Sequence, residues 1–173
     1  MKKLLIVVDM QNDFVTGTLG SKQAESILPK VRAKVEYFKA NGDEIVFTRD
    51  THYDDYLTTQ EGRLLPVAHC ISGTEGHKIV DGLNTDGRKV YDKPTFGSLL
   101  LAEEIAEGMY EEIEICGLCT DISVVSNALI LKAHVPETKI TIDASCCAGS
   151  SEEGHKAALL TMQSCQVNII NDF

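Results

Sequence analysis

Ile113-Glu114-Ile115-Cys116-Gly117-Leu118-Cys119-Thr120-Asp121-Ile122-Ser123-Val124 is the stretch that decides the fold. An apolar β-branched run, a glycine and then a helical pattern over 120–134 describe a strand that turns directly into a helix N-terminus. Such a junction aims backbone N–H groups and the positive end of a helix dipole at one point. A nucleophile on the first helical turn would be activated by that field, and the best position there holds Ser123.

The same alternation recurs along the chain. Apolar runs predict strands over 3–8, 44–48, 88–91, 112–116, 139–142 and 166–170, and helical patterns cover 23–40, 98–107, 120–134 and 151–164. The first helix carries the stripe Ile27, Val31, Val35 and Phe38 and stops at Asn41-Gly42, while Ser151 with Glu152 and Glu153 forms an N-cap and acidic first turn. Strand–helix alternation implies an α/β fold: one three-layer αβα domain over 1–173, with a mainly parallel sheet of about six strands and right-handed crossovers. Sheets of this kind place their sites beyond the carboxyl ends of the strands. The polar residues at those ends are Asp9, then Arg49, Asp50, Thr51 and His52, then Asp92 and Lys93, the 117–123 turn, and Asp143 with Ser145. Residues 53–87 form the one long irregular stretch, which in a compact domain points to function.

A formal charge of −10 argues against nucleic acid or an anionic membrane as partner. The apolar run after Met1-Lys2-Lys3 is cut short at Asp9 with no small-residue cleavage site, so it reads as a first strand rather than a signal peptide. Six scattered cysteines and no secretion signal imply reduced thiols in a cytoplasmic protein. Cys146, Cys147, Met109, Met162 and Cys165 are expected in or near the core, His77 and His134 in solvent, and His155 in a capping or packing role.

Asp9, Lys93 and Ser123 converge on one rim of such a sheet. An acid, a lysine and a nucleophile suit acyl transfer, although an Asp–Lys pair at strand ends also reads as a plain salt bridge. Asp50 and His52, two apart on an extended segment, face one side and can share a cation, with Glu61 and His69 returning from the loop. That oxygen and nitrogen set suits Zn, Mn or Fe(II); the plainer reading is solvated loop histidines. Cys116-x-x-Cys119 mimics a dithiol redox motif, against which Cys116 belongs to a buried strand by pattern.

Six motifs then occur in order: Asp9-Met10-Gln11-Asn12-Asp13-Phe14, Asp50-x-His52, Pro66-Val67-Ala68-His69-Cys70, Gly73-Thr74-Glu75-Gly76, Lys93-Pro94-x-Phe96 and Gly117-x-x-Thr120-Asp121. Together they resemble the isochorismatase-like cysteine hydrolase superfamily, in particular its nicotinamidase branch, over nearly the whole chain. The resemblance implies Asp9 as catalytic acid and Lys93 as its lysine. It also implies Asp50, His52 and His69 as metal ligands, with Glu61 a fourth, holding a divalent ion such as zinc, manganese or iron that positions a pyridine nitrogen. It places a cis peptide at Leu118–Cys119, makes the Cys119 and Ser123 amides oxyanion donors, and makes Phe14 a pocket aromatic. A small carboxamide substrate and a homo-oligomer follow by the same analogy.

Two departures stand out. The nucleophile of the family is a cysteine, and here Ser123 occupies its place. Three readings are open: a cysteine replaced by serine to trap substrate, a natural serine variant, or a member that activates water without a covalent step. A catalytically silent binding protein, and a related hydrolase of another amide or of an isochorismatase-type ether, are the rival functions. Leu65 then precedes Pro66-x-x-His69, where nicotinamidases have an aromatic before Pro-x-His, so this wall of the substrate pocket differs.

Overall fold

The computed structural model describes residues 2–172; the ends of the expected 1–173 domain, Met1 and Phe173, lie outside the described residues. Six strands, β1 (Lys3–Val8), β2 (Glu44–Asp50), β3 (Lys89–Lys93), β4 (Glu112–Leu118), β5 (Lys139–Ala148) and β6 (Asn168–Ile170), form one sheet of order β3-β2-β1-β4-β5-β6. Every strand pairing is parallel. The order reverses between β1 and β4, the topological switch point at which doubly wound sheets open a crevice. β1 is the spine: Leu4, Leu5, Ile6, Val7 and Val8 are all fully buried, as a strand covered on both faces must be.

The long helices are α2 (Lys22–Ala40), α4 (Leu99–Glu107), α5 (Val125–His134) and α6 (Glu152–Ser164). Two short ones, α1 (Asn12–Val15) and α3 (Gln60–Leu64), escape a periodicity search because each is about one turn long. Right-handed crossovers put α2 on one face of the sheet and α4, α5 and α6 on the other, where α5 packs against both α4 and α6. Ser21, Ser98 and Ser151 cap α2, α4 and α6 by accepting from the N–H three residues on. Asn41 ends α2, and Gly42 at φ +72° takes the left-handed turn that follows.

Several expectations need correction. Asp143 and Ser145 are not at a strand end. Ile115 faces Ile142 but Gly117 faces Cys147, so β5 bulges between these pairs and rejoins the ladder through its apolar Cys147 and Ala148. The bulge turns Asp143 toward α2, where its Oδ2 lies 2.8 Å from Lys34 Nζ; the same ammonium also bonds Glu114. Met109 and Cys165 are exposed, because each falls in a turn just beyond a helix end. His77 is buried, its Nε2 2.9 Å from Thr51 Oγ1. Met162, Cys146 and Cys147 are buried as expected.

The Lys34 link is the main polar tie between α2 and the sheet. Burial pushes the Asp143 carboxyl up, but hydrogen bonds from Lys34, Ser145 and Asn171 outweigh it and hold the group below its usual 3.8. Because the folded value is depressed, this stabilisation is present above pH 3.8 and is lost as pH falls through the folded value. Lys34→Met is expected to cost about 3 kcal/mol near neutral pH, since two carboxylates lose their shared cation. In denaturant unfolding, its deficit against the parent should shrink below pH 3.8; a deficit independent of pH would contradict this assignment.

Candidate active site

Four strand ends meet at the crevice. Asp9 leaves β1 at φ +47°, a left-handed conformation that aspartate tolerates better than most residues. Its N–H donates to the Thr48 carbonyl at 3.2 Å, and Thr48 Oγ1 donates to Asp9 Oδ1 at 2.6 Å. Lys93 closes β3, and its ammonium reaches across the end of β2 to Asp9 Oδ2 at 2.6 Å. The same Nζ donates to Ser123 Oγ at 3.2 Å and to the Thr95 carbonyl at 3.3 Å. Lys93 is 1% exposed and Asp9 not at all. Burial raises the Asp9 carboxyl above its ordinary value, against the opposing pull of Lys93 and Thr48.

Ser123 lies on a widened turn, the π-helical Thr120–Val124 that leads into α5, rather than on the regular helix the pattern predicts. Gly117 precedes it at φ +119° with its Cα against the Val8 backbone, where a side chain would collide with β1. The Leu118–Cys119 peptide is cis, as the resemblance implies. Asn127, one turn beyond Ser123 and fully buried, fastens this region. Its amide donates to the Ser123 carbonyl at 2.8 Å and the Phe96 carbonyl at 3.2 Å, and its oxygen accepts from Ser98 N–H at 3.0 Å. His155 packs from α6, its Nδ1 2.7 Å from Thr120 Oγ1.

Beside this triad stand Asp50, His52, Glu61 and His69, whose candidate ligand atoms all lie within 4.8 Å of one another. Asp50 Oδ2 is 3.0 Å from His52 Nε2 and 3.3 Å from His69 Nε2, and Glu61 Oε1 is 3.5 and 3.9 Å from the same two nitrogens. His69 Nδ1 faces the Val67 carbonyl at 2.8 Å and must donate to it, which leaves the Nε2 lone pair of the neutral ring aimed at two carboxylates. That repulsion disappears only if a proton or a cation lies between them. Burial opposes a proton on His69, yet hydrogen bonds to Asp50 and Val67 raise its hold on one, and the same field attracts a metal. Burial likewise raises Asp50, but His52, His69 and Lys93 overcome it and keep the carboxylate ionised. Asp50 Oδ1 is buried with no hydrogen-bond partner among the described residues, a further fit to a cation-binding group. A two-carboxylate, two-imidazole set suits zinc, manganese or iron(II).

The irregular segment is anchored by the run after Asp9. Gln11, fully buried, accepts from Asp50 N–H at 2.7 Å and donates to the carbonyls of Asp50 and His77 at 2.8 and 3.0 Å. Asn12 donates to Glu75 O, and Asp13 accepts the Cys70 N–H at 2.8 Å, fixing the residue beside His69. Tyr56, also buried, packs its ring at a steep angle against both histidines with centroids 4.7 and 5.0 Å away and donates to the Leu65 carbonyl. Gln11 stood in a quoted motif without an assigned role; Tyr56, Thr48 and Asn127 had no sequence signal that separates them from ordinary core or loop residues.

A cavity of about 620 Å³ opens onto Ser123, Cys119, Asp50, Glu61 and His69, with Phe14 and Leu65 in its walls. The dithiol reading does not hold: Cys116 is fully buried within β4, both thiols are unpaired, and burial pushes Cys119 up to about 12. The isochorismatase domain model matches residues 3–171, and the chain belongs to that family. An isochorismatase family protein of Bacillus subtilis, PncA, is 30% identical over 177 residues, 92% of this chain and 93% of its own. The crystal structure of nicotinamidase/pyrazinamidase PncA from Bacillus subtilis superposes at a TM-score of 0.85 and 30% identity, covering 98% of this chain and 99% of that one. A pyrazinamidase of Pyrococcus horikoshii in complex with zinc gives 0.87 at 28% identity, covering 99% and 100%.

Chelator-treated protein is expected to bind one zinc or manganese ion per chain and to melt at a higher temperature once loaded. Asp50→Ala or His69→Ala should weaken that binding by roughly 100-fold or more. Calorimetric titration of the three proteins checks this, and equal affinities would remove the cluster as a metal site.

Proposed function

We propose that this site hydrolyses a small neutral carboxamide of the nicotinamide type to an acid and ammonia. The observation that carries this reading is the Lys93 ammonium within hydrogen-bond distance of both Asp9 and Ser123, with Ser123 on the same cavity as Asp50, Glu61 and His69. The relatives named nicotinamidase and pyrazinamidase support the same class of reaction.

In this mechanism the side chain at position 123 attacks the amide carbonyl. Asp9, whose affinity for a proton is raised by burial, takes the nucleophile's proton and passes it to the departing amine. Lys93 holds Asp9 in place and favours the anionic form of the nucleophile. The amide N–H groups of Cys119 and Ser123 are the donors for the developing oxyanion. Water deprotonated by Asp9 then cleaves the acyl bond to residue 123. Asp50, His52, Glu61 and His69 would hold the divalent ion, which supplies a Lewis acid for a ring nitrogen. No helix among the described residues is long and apolar enough to cross a membrane.

A serine hydroxyl is far less acidic than a thiol, so surroundings built for a thiolate activate Ser123 poorly. Ammonia release from nicotinamide by the zinc-loaded protein is therefore expected to be slow, and Ser123→Cys to raise kcat/KM about 100-fold or more, some 2.7 kcal/mol of barrier. Silence of both forms with metal bound would reject nicotinamide and favour the binding-protein reading that Ser123 also permits.

The acid limb of that activity is expected above the ordinary aspartate value of 3.8, because burial raises Asp9. Thr48 donates to the ionised carboxylate, so Thr48→Val should raise Asp9 further and move the limb to higher pH. A limb that stays put, or moves to lower pH, would exclude Asp9 as the titrating group.

A further inference from the structure

The cavity carries more information than the reaction alone requires. At about 620 Å³ it is of a size that encloses whole drug-sized ligands, several times what a single-ring carboxamide fills. Its outer wall is apolar and left uncovered: Leu64 is 80% exposed, Leu65 40% and Phe96 46%, and all three line this one cavity. Leu64 and Leu65 follow Glu61 on and after α3, while Phe96 follows Lys93, so the three rise from segments that also carry the proposed metal and catalytic groups. A ligand seated at Ser123 and extending outward would bury them.

Charge bookkeeping narrows the class. No arginine or lysine lines the cavity among the described residues. The Lys93 ammonium behind Ser123 is committed to Asp9. A divalent ion would cancel Asp50 and Glu61, and Lys93 cancels Asp9, leaving a site without net charge. An anionic group on the outer end of a substrate would give up its hydration and meet no cation.

We propose that the substrate of this protein is a neutral aromatic carboxamide bearing an apolar substituent on the ring edge away from the amide, packed on Leu64, Leu65 and Phe96. This rests on the hydrolase reading above and deepens it. A serine at position 123 makes the chain suited to a binding test that does not depend on turnover.

The zinc-loaded protein is titrated in a calorimeter with nicotinamide, with a propyl-substituted pyridine-3-carboxamide, and with the analogue whose propyl group ends in a carboxylate. The propyl compound is expected to bind about tenfold tighter than nicotinamide, since part of its three-carbon chain becomes buried. The carboxylate analogue should lose that gain, and Leu64→Ser/Leu65→Ser should bring the propyl compound back to the affinity of nicotinamide. Nicotinamide binding as tightly as the propyl compound, or a propyl preference that survives in the double variant, overturns the proposal. A double variant whose sedimentation changes while the preference persists assigns the leucines to a contact between copies of the chain, and overturns it too. Ammonia release by Ser123→Cys separates the two levels. Turnover of nicotinamide without binding of the propyl compound removes this inference and leaves the hydrolase reading; no binding and no turnover of any of these amides removes both.

Discussion

The ion pair between Lys93 and Asp9, 2.6 Å long and closed to solvent, is the constraint around which this protein is organised. Removing both charges from water costs several kcal/mol per ion, and the pair persists only because its remaining hydrogen-bonding capacity is met. Thr48 serves Asp9, while the Thr95 carbonyl and Ser123 hydroxyl serve Lys93. Asp9 directly follows β1 and Lys93 closes β3, with β2 between these strands. The lysine stem must therefore pass over the end of β2, which brings its ammonium to 4.0 Å from Asp50 Oδ1. One cation thus couples the Asp9–Lys93–Ser123 group to the cluster of Asp50, His52, Glu61 and His69, and neither half can be altered electrostatically without the other.

The second constraint is the tethering of a long irregular segment. If the loop that carries His69 were left free, holding a ligand there would cost the conformational entropy of ordering it. Gln11, Asn12 and Asp13 avoid this by binding backbone groups of residues 50, 70, 75 and 77 directly after β1. The strand that leads into Asp9 also holds the segment that carries Glu61 and His69, which accounts for the polar run where a strand–helix connection would ordinarily need no such residues. Tyr56 completes the enclosure by packing against both imidazoles.

Regular structure was plainly legible in the chain because buried parallel strands and amphipathic helices leave strong periodic signals; β1, β2, α2 and α6 all lie within two residues of their expected bounds. Asp143 misled because a strand that bulges and resumes looks, in one dimension, like a strand that stops. Met109 misled because its side chain is apolar while its place, just after the C-cap of α4, leaves it in solvent. His77 misled in the opposite sense, since only the fold brings Thr51 over it. Among the candidate site residues, those at strand ends were found by position. Glu61 and His69 could be grouped with Asp50 and His52 by residue type, but only the resemblance implied them as ligands over solvated loop side chains, because nothing in an aperiodic loop indicates which side chain points inward.

By itself the sequence determined the alternation of strands and helices, the strand-end rim where polar residues collect, and the membership of Asp9, Lys93, Asp50 and His52 in that rim. These are local properties, written in spacing and residue type. Only the tertiary structure decided that the sheet is ordered β3-β2-β1-β4-β5-β6, that Lys93 reaches Asp9 and Ser123 together, and that four ligand atoms close to within 4.8 Å. It also decided that Leu64, Leu65 and Phe96 share one cavity. These are distances between residues far apart in the chain, fixed by strand order and by the tethering of the loop, and spacing along a chain carries no direct record of either.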